Sequence, residues 1–390
     1  MGFFTGRASF LRFKVEGPAP RLFGEEHVER LSAFQAGRQR LASADGIESG
    51  WAAGEHILDV DFQLGKNIIA DILTFDLRID AEKLPGDLLK AYMITELKAL
   101  AAGNHSGKPS ARQKREAKEY AKNRLEEEAK DGRFLRRKSI PVAWDATSNE
   151  VLFGATSLTN IDRLVSLFQQ SFGYSLEAIT AGRRAYVLAE LHQQTRNVDD
   201  SRLSLFVPNV TPEEVGWIPD DTSRDFIGNE FFLWLWYNSE GETDTIVLSD
   251  KTEVTYMIAR TLTLECPRGQ TGHETISHEG PSRLPEAKRA IQSGKLPRKI
   301  GLTLVRHDYQ YELTLHAETL AVGACKMPNP PEDITDSRAK LEERADRLRH
   351  VIETLDLLYE SFGRQRFGSG WADTLPRMQK WLAKDERRAA

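Results

Sequence analysis

The feature that most constrains the fold is a long, highly charged helical segment at residues 111–131. Its residues are strong helix formers, and Gly132 follows as a typical helix-ending glycine. At about 1.5 Å per residue, a helix of this length extends about 30 Å. Its apolar stripe is narrow and mostly alanine: Ala117, Ala121, Leu125 and Ala129. Because such a helix cannot lie at the centre of a core, it predicts, with the helical pattern before it, a helical hairpin that projects from the body.

A hydrophobic period of two predicts strands on both sides of this finger. Residues 58–64 and 68–79 alternate around Gly65-Lys66-Asn67 and predict a β-hairpin. Further strands are expected at residues 9–15, 140–144, 151–154, 245–248, 254–264, 300–305 and 309–316, and amphipathic helices at 159–172 and 333–362. This order predicts an α+β fold, with a mixed or antiparallel sheet body, a protruding helical hairpin finger and a long C-terminal helix.

A length of 390 residues is enough for two or three domains. The changes of period predict four parts. They are a central α+β sheet domain (1–84 and 139–180), a basic helical finger (85–138), a second α+β base domain (181–330) and a C-terminal helical segment (331–390).

The charge is distributed unevenly along the chain. The net charge is -5, which taken alone disfavours a nucleic-acid binder. Residues 105–140, however, contain twelve Lys and Arg against six Asp and Glu, so this window carries +6 and the remainder -11. The local concentration of charge decides polyanion binding, and the finger is therefore the candidate binding element.

Within the finger, Lys114, Arg115, Lys118 and Lys122 fall on an arc of roughly 100° of one helix. A second group, Arg133, Arg136, Arg137 and Lys138, lies where the chain returns to the sheet. Exposed cations in such an arrangement neutralise phosphates and release counterions. The alternative is a solvated helix with i,i+4 ion pairs, and composition alone favours neither.

Other motifs give no convincing catalytic or metal site. The segment 103–108 has too few residues between its glycines for a phosphate-binding loop. Cys266, His273 and His278 match no paired zinc-ligand spacing, and Glu96 and Lys98 do not share a helix face. The aromatic run at residues 226–237 has no Lys or Arg, so it is expected in the core rather than as a base-stacking platform. We therefore expect no catalytic residue, metal or cofactor.

Two cysteines, no apolar run long enough to span a bilayer and no signal peptide indicate a reducing cytoplasm. A nucleic-acid-binding role for the basic window would place the protein at the nucleoid.

The order of several segments resembles the bacterial recombination-associated DNA-binding protein family (RdgC). They are EKLPGDLLK (82–90), the charged helix, GRFLRRKSIPVAWDATSNEVLFGATS (132–157), IDRLVSLFQQSFG (161–173), Gly50-Trp51 and IQSGKLPRKIGL (291–302). The resemblance covers most of residues 1–180 and 285–320.

The resemblance implies a homodimeric ring or clamp around double-stranded DNA. Such a ring binds DNA with little sequence preference and limits the access of a recombinase to it. Phe134 and Arg136 match the family's Phe-x-Arg after the finger, where Phe134 would belong to a subunit contact. Lys295 lies in the matching Gly-Lys segment, and Lys295, Arg298 and Lys299 form a second expected set of DNA contacts.

Two other functions stay open at this point. One is a metal-dependent DNA exonuclease acting on the same DNA. The other is a non-catalytic scaffold, whose charged finger and C-terminal helix dock protein partners.

Overall fold

The computed structural model describes residues 2–37, 46–104, 107–207, 215–217, 222–241, 244–267 and 272–383. The described strands are β1 Ala8–Glu16, β2 Ile47–Ala52, β3 Ile68–Ile69, β4 Ile72–Glu82, β5 Leu135–Asp145, β6 Glu150–Phe153, β7 Ser175–Ala178, β8 Thr245–Val247, β9 Glu253–Glu265, β10 His273–His278, β11 Leu296–Arg306, β12 Tyr309–His316 and β13 Val322–Lys326. The described helices are α1 Glu25–Ala33, α2 Leu64–Asn67, α3 Gly86–Ala102, α4 Ala111–Ala129, α5 Leu158–Phe172, α6 Ala181–Leu191, α7 Thr195–Asp199, α8 Ile227–Ser239, α9 Pro285–Gln292, α10 Ser337–Phe367 and α11 Trp371–Ala383.

One sheet of 13 strands runs through the protein in the order β10-β9-β11-β12-β13-β1-β6-β5-β4-β2, with β3 on β4, β7 on β1 and β8 on β9. The pairings between these strands are all antiparallel. Helices pack against this sheet, and α3 and α4 form a separate hairpin between β4 and β5. The predicted α+β class, antiparallel sheet, helical finger and long C-terminal helix are confirmed.

Two hydrophobic cores lie along the sheet. The N-terminal core surrounds Trp51, Trp144 and Phe168, and includes the inner face of α5. The C-terminal core surrounds Phe231 of α8 and Tyr359 of α10. Strand β1 supplies both, because Phe10 belongs to the C-terminal core and Phe13 to the N-terminal core. The division into four domains stays a prediction.

The aromatic run at residues 226–237 is core, as predicted. It forms most of α8, whose residues from Ile227 to Trp236 are all buried. A helix that is hydrophobic on every side must be surrounded by protein, and α8 is enclosed by the sheet, α6, α10 and α11.

The predicted hairpin of residues 58–64 and 68–79 is wrong in its first strand and in its turn. Residues 58–63 form no strand, and the expected turn is the one-turn helix α2. The actual hairpin joins β3 to β4 through Ala70 and Asp71, whose φ angles are 46° and 61°. The alternation was misleading because Leu58 and Leu64 are exposed. The buried Asn67 amide instead bridges the backbone, donating to the carbonyl oxygens of Ala53 and Thr74.

Candidate nucleic-acid interface

The finger is built by α3 and α4 packed side by side. Helix α4 begins with a capping box, in which the Ser110 hydroxyl accepts from the Gln113 backbone NH and the Gln113 side chain accepts from the Ser110 NH. The four residues of the predicted apolar stripe, Ala117, Ala121, Leu125 and Ala129, are all buried. Three alanines in this stripe let the two helices approach closely, while the remaining surface of α4 stays in water.

Aromatic and charged side chains lock the base of the finger. The Arg124 guanidinium lies 4.1 Å from the centre of the Tyr92 ring, and the Tyr92 hydroxyl donates to Glu128 at 2.8 Å. The hydrogen bond to Glu128 raises the pKa of Tyr92. At the root, the Lys83 backbone NH donates to the Phe134 carbonyl oxygen at 3.1 Å and joins the two ends of the finger. The finger is thus held together by contacts between its two helices and by a backbone hydrogen bond at its root.

Three lysines follow one another along α4 beside the buried stripe. Lys114, Lys118 and Lys122 are spaced i, i+4 and i+8, so they form a single row, and all three are exposed. Lys122 lies 3.2 Å from Glu126. Within the described part of the chain, Lys114, Lys118 and the neighbouring Arg115 have no carboxylate within 4.0 Å. The sequence-predicted set on α4 therefore includes three uncompensated charges.

Most other cations of α4 are neutralised within the helix. Arg112 pairs with Glu116 and Arg124 with Glu128, and Lys130, just after the helix, pairs with Glu127. The i,i+4 ion pairs of the alternative interpretation thus exist, and one of them, Lys122–Glu126, includes the last lysine of the row. Both interpretations therefore apply to α4: among the described residues, Lys114, Arg115 and Lys118 have no carboxylate partner, whereas the other cations of the helix are paired.

The second predicted group lies on the return strand β5 and, for Arg133, just before it. Arg133 is held by Asp131, and this hydrogen bond lowers the pKa of the Asp131 carboxyl. Arg136 and Lys138 are two residues apart on one face of β5, exposed, with no described carboxylate within 4.0 Å. Arg137, on the opposite face, lies 3.5 Å from Asp80. Phe134 is half-buried at the root of the finger.

The third predicted group lies in the sheet body and is largely neutralised. Lys295 is only 4% exposed and forms an ion pair with Glu274. Arg298 bonds Glu265 at 2.8 Å and Glu318 at 3.0 Å. Burial alone would lower the pKa of Arg298, but these two carboxylates raise it. Phosphate contact by this group stays a prediction, and of its members only the half-buried Lys299 has no described ion-pair partner.

Sequence reasoning missed two cations on the other helix of the finger. Lys90 and Lys98 are exposed on α3 and eight residues apart, which places them in one row with the half-exposed Ile94 between them. Neither has an ion-pair partner among the described residues. The spacing alone would have identified this row, because steps of four residues follow one ridge of a helix.

The residues considered for chemistry are not assembled into a site. Cys266 is buried, whereas His273 and His278 are exposed at the two ends of β10. Within the described ranges, no three His, Cys, Asp or Glu side chains are grouped so that they could share a metal ion.

No helix in the described part of the chain combines the length and apolarity needed to cross a membrane. No known protein-family model matches the chain, and no curated protein matches it either.

Proposed function

We propose that this protein binds double-stranded DNA through phosphate contacts of its finger, without reading the base sequence. The observation that carries the proposal is the set of exposed cations on α4, where Lys114, Lys118 and the neighbouring Arg115 have no compensating carboxylate among the described residues. Arg136 and Lys138 add a second uncompensated pair on β5. Exposed ammonium and guanidinium groups bind phosphates by displacing condensed counterions.

The absence of base readout follows from the kind of side chains on this surface. Lysines on a solvated helix contact phosphate as point charges, whereas base recognition requires side chains fixed against base edges. Helix α4 is held to α3 by its apolar stripe, and its cations lie on the exposed surface. We therefore expect the row of cations to be the surface that meets DNA.

The proposal includes a homodimeric ring or clamp that surrounds the duplex in the nucleoid and limits the access of a recombinase. The family resemblance of residues 82–90, 132–157 and 161–173 supports this part. The half-buried Phe134 at the root of the finger supports it as well, since a partly exposed aromatic side chain suits a subunit contact. No catalytic step is assigned to the protein.

The proposal is tested by fluorescence anisotropy with two duplexes of equal length and unrelated sequence. Both should bind with the same affinity, and the logarithm of the association constant should fall with the logarithm of salt concentration with a slope of about -3 or steeper. Strong preference for one duplex, or failure to bind either at low salt, would reject the proposal.

The clamp is tested separately by dissociation from circular and linear DNA of the same sequence. A closed ring leaves linear DNA over its ends but stays on a circle, so the circular complex should last longer. Equal lifetimes on both would leave phosphate binding intact and reject encirclement.

A further inference from the structure

Both helices of the finger carry exposed lysines, and the packing of the helices decides whether these lysines share a face. Lys90 and Lys98 form the α3 row. The α4 row consists of Lys114, Lys118 and Lys122. DNA contact through the α4 row alone leaves the α3 row without a role.

Two side-chain contacts fix the direction of α3 against α4. Near the tip of the finger, the Gln113 side chain donates to the Leu100 carbonyl oxygen at 3.3 Å. Near the root, the Tyr92 hydroxyl donates to Glu128 at 2.8 Å. The helices are therefore antiparallel, and the two lysine rows overlap along the finger.

Each lysine directly follows a residue that lies between the two helices. On α4 the preceding residues are Gln113 and the buried Ala117 and Ala121, and on α3 they are the half-buried Leu89 and Leu97. One residue is a rotation of about 100° on a right-handed helix. In an antiparallel pair, this rotation leads from both helices to the same side. The α3 row and the α4 row therefore share one face of the finger, which we call the lysine face.

The opposite face of the finger is electrically balanced. Tyr92 and Arg124 each directly precede a residue between the helices, and they meet there, with the guanidinium 4.1 Å from the ring centre. Arg124 pairs with Glu128, and Arg112 pairs with Glu116. Of the five lysines on the lysine face, by contrast, only Lys122 has a described carboxylate within 4.0 Å. Uncompensated positive charge is thus concentrated on the lysine face.

We propose, building on the DNA binding proposed above, that the lysine face meets both strands of one duplex. The α4 row contacts the phosphates of one strand, and the α3 row contacts those of the other. The axes of packed helices are about 8–10 Å apart, and the two rows are separated by a similar distance. The grooves of B-DNA, which separate its two backbones, are about 6 Å and about 12 Å wide. A single strand has one backbone and follows one row, so the finger selects duplex over single-stranded DNA.

The inference is tested by fluorescence anisotropy with a duplex and a single strand of the same sequence and length, over a series of salt concentrations. The wild type should bind the duplex more tightly. In the double variant Lys90→Ala, Lys98→Ala, the loss of two phosphate contacts should make the duplex slope of log affinity against log salt shallower by about 1.8. Its affinity for the single strand should stay close to that of the wild type, because the α4 row still holds the strand.

Two control variants separate the position of a charge from its amount. The variant Lys90→Arg, Lys98→Arg keeps both charges and should keep the wild-type duplex slope. Arg112→Ala removes an exposed cation from the opposite face and should leave the slope and the duplex preference unchanged. Far-UV circular dichroism checks that each variant keeps the helical content of the wild type.

An unchanged duplex slope in Lys90→Ala, Lys98→Ala would overturn the second row of contacts. Equal losses of duplex and single-strand affinity would show that both rows follow one strand, and would overturn the contact with two strands. Neither result would affect DNA binding by the α4 row, which Lys114→Ala with Lys118→Ala tests separately. A wild type that binds no DNA would overturn both proposals.

Discussion

Arg12 of β1 and Asp356 of α10 form a two-pronged ion pair across 344 residues of sequence, with N–O distances of 2.7 and 2.8 Å. The same guanidinium also bonds Glu150 of β6, and Asp356 accepts a second contact from Arg184 at 3.2 Å. Burial opposes the charge on Arg12, but Asp356 and Glu150 together raise its pKa. The pair joins the C-terminal helix to the strand that supplies both hydrophobic cores.

Replacing Arg12 with alanine should strongly reduce the free energy of unfolding. The change leaves the buried Glu150 and the largely buried Asp356, whose side chain is 17% exposed, with fewer positive partners. Removing one member of a buried ion pair costs about 3–5 kcal/mol. Urea denaturation measures the loss. Arg112→Ala is the matched control, because the Arg112–Glu116 pair is exposed and such a pair contributes about 0.5 kcal/mol or less. Equal effects of both variants would contradict this role of Arg12.

His350 should make the protein less stable as the pH falls from about 6.5 to 4. The pKa of its folded form is lowered to about 4, whereas the unfolded chain takes up the proton near pH 6.5. In this window the unfolded state binds more protons, so acid favours unfolding. Urea denaturation at several pH values measures the slope of the unfolding free energy against pH. The slope should be smaller for His350→Gln, and a wild-type slope in that variant would contradict the assignment.

Gly228 should not tolerate any side chain. A Cβ atom at this position would lie 1.8 Å from the carbonyl oxygen of Ala317, so α8 could no longer pack against the sheet. Gly228→Ala should cost about 3 kcal/mol or more, measured by thermal and urea unfolding. The control is Gly86→Ala in the first turn of α3, where nothing lies within 4 Å. That change should be neutral or stabilising by about 0.4–1 kcal/mol; similar losses in both variants would contradict the packing argument.

The spacing of hydrophobic residues in the sequence predicted those helices and strands that bury only one face. The stripe of α4 and the strands of the C-terminal half are found where the pattern places them. The aromatic run at residues 226–237 is in the core, as its lack of Lys and Arg predicted. It failed between residues 58 and 71, because Leu58 and Leu64 alternate without being buried. There the backbone is organised by the amide of Asn67 and the carboxylate of Asp59, which bonds Lys66.

The sequence predicted which cations could form the interface, but not which of them are neutralised by neighbouring carboxylates. Lys114 and Lys295 look alike in the sequence, yet Lys114 is exposed without a described ion-pair partner and Lys295 is buried against Glu274. That carboxylate is on β10 and reaches Lys295 only through the pairing of β10 with β9. Which cations remain free thus depends on strand neighbours that a single sequence does not reveal.

Phe134→Ala should weaken the proposed homodimer. The side chain is half-buried at the root of the finger, and removing an aromatic side chain from a subunit contact typically costs more than about 1 kcal/mol of association energy. Light scattering across a range of protein concentrations measures the mass. Leu158→Ala, a 78% exposed apolar residue at the start of α5, is the control. A wild type that stays monomeric, or a Phe134→Ala variant that dimerises normally, would contradict the contact.

The most direct test of the central claim compares the salt dependence of duplex binding between the wild type and the triple variant Lys114→Ala, Arg115→Ala, Lys118→Ala. Each phosphate contact contributes about 0.9 to the slope of log affinity against log salt, so the variant should bind more weakly with a slope shallower by about 2–3. Lys340→Ala, an exposed lysine of α10, should leave both unchanged. An unaltered slope and affinity in the triple variant would contradict DNA binding through the finger.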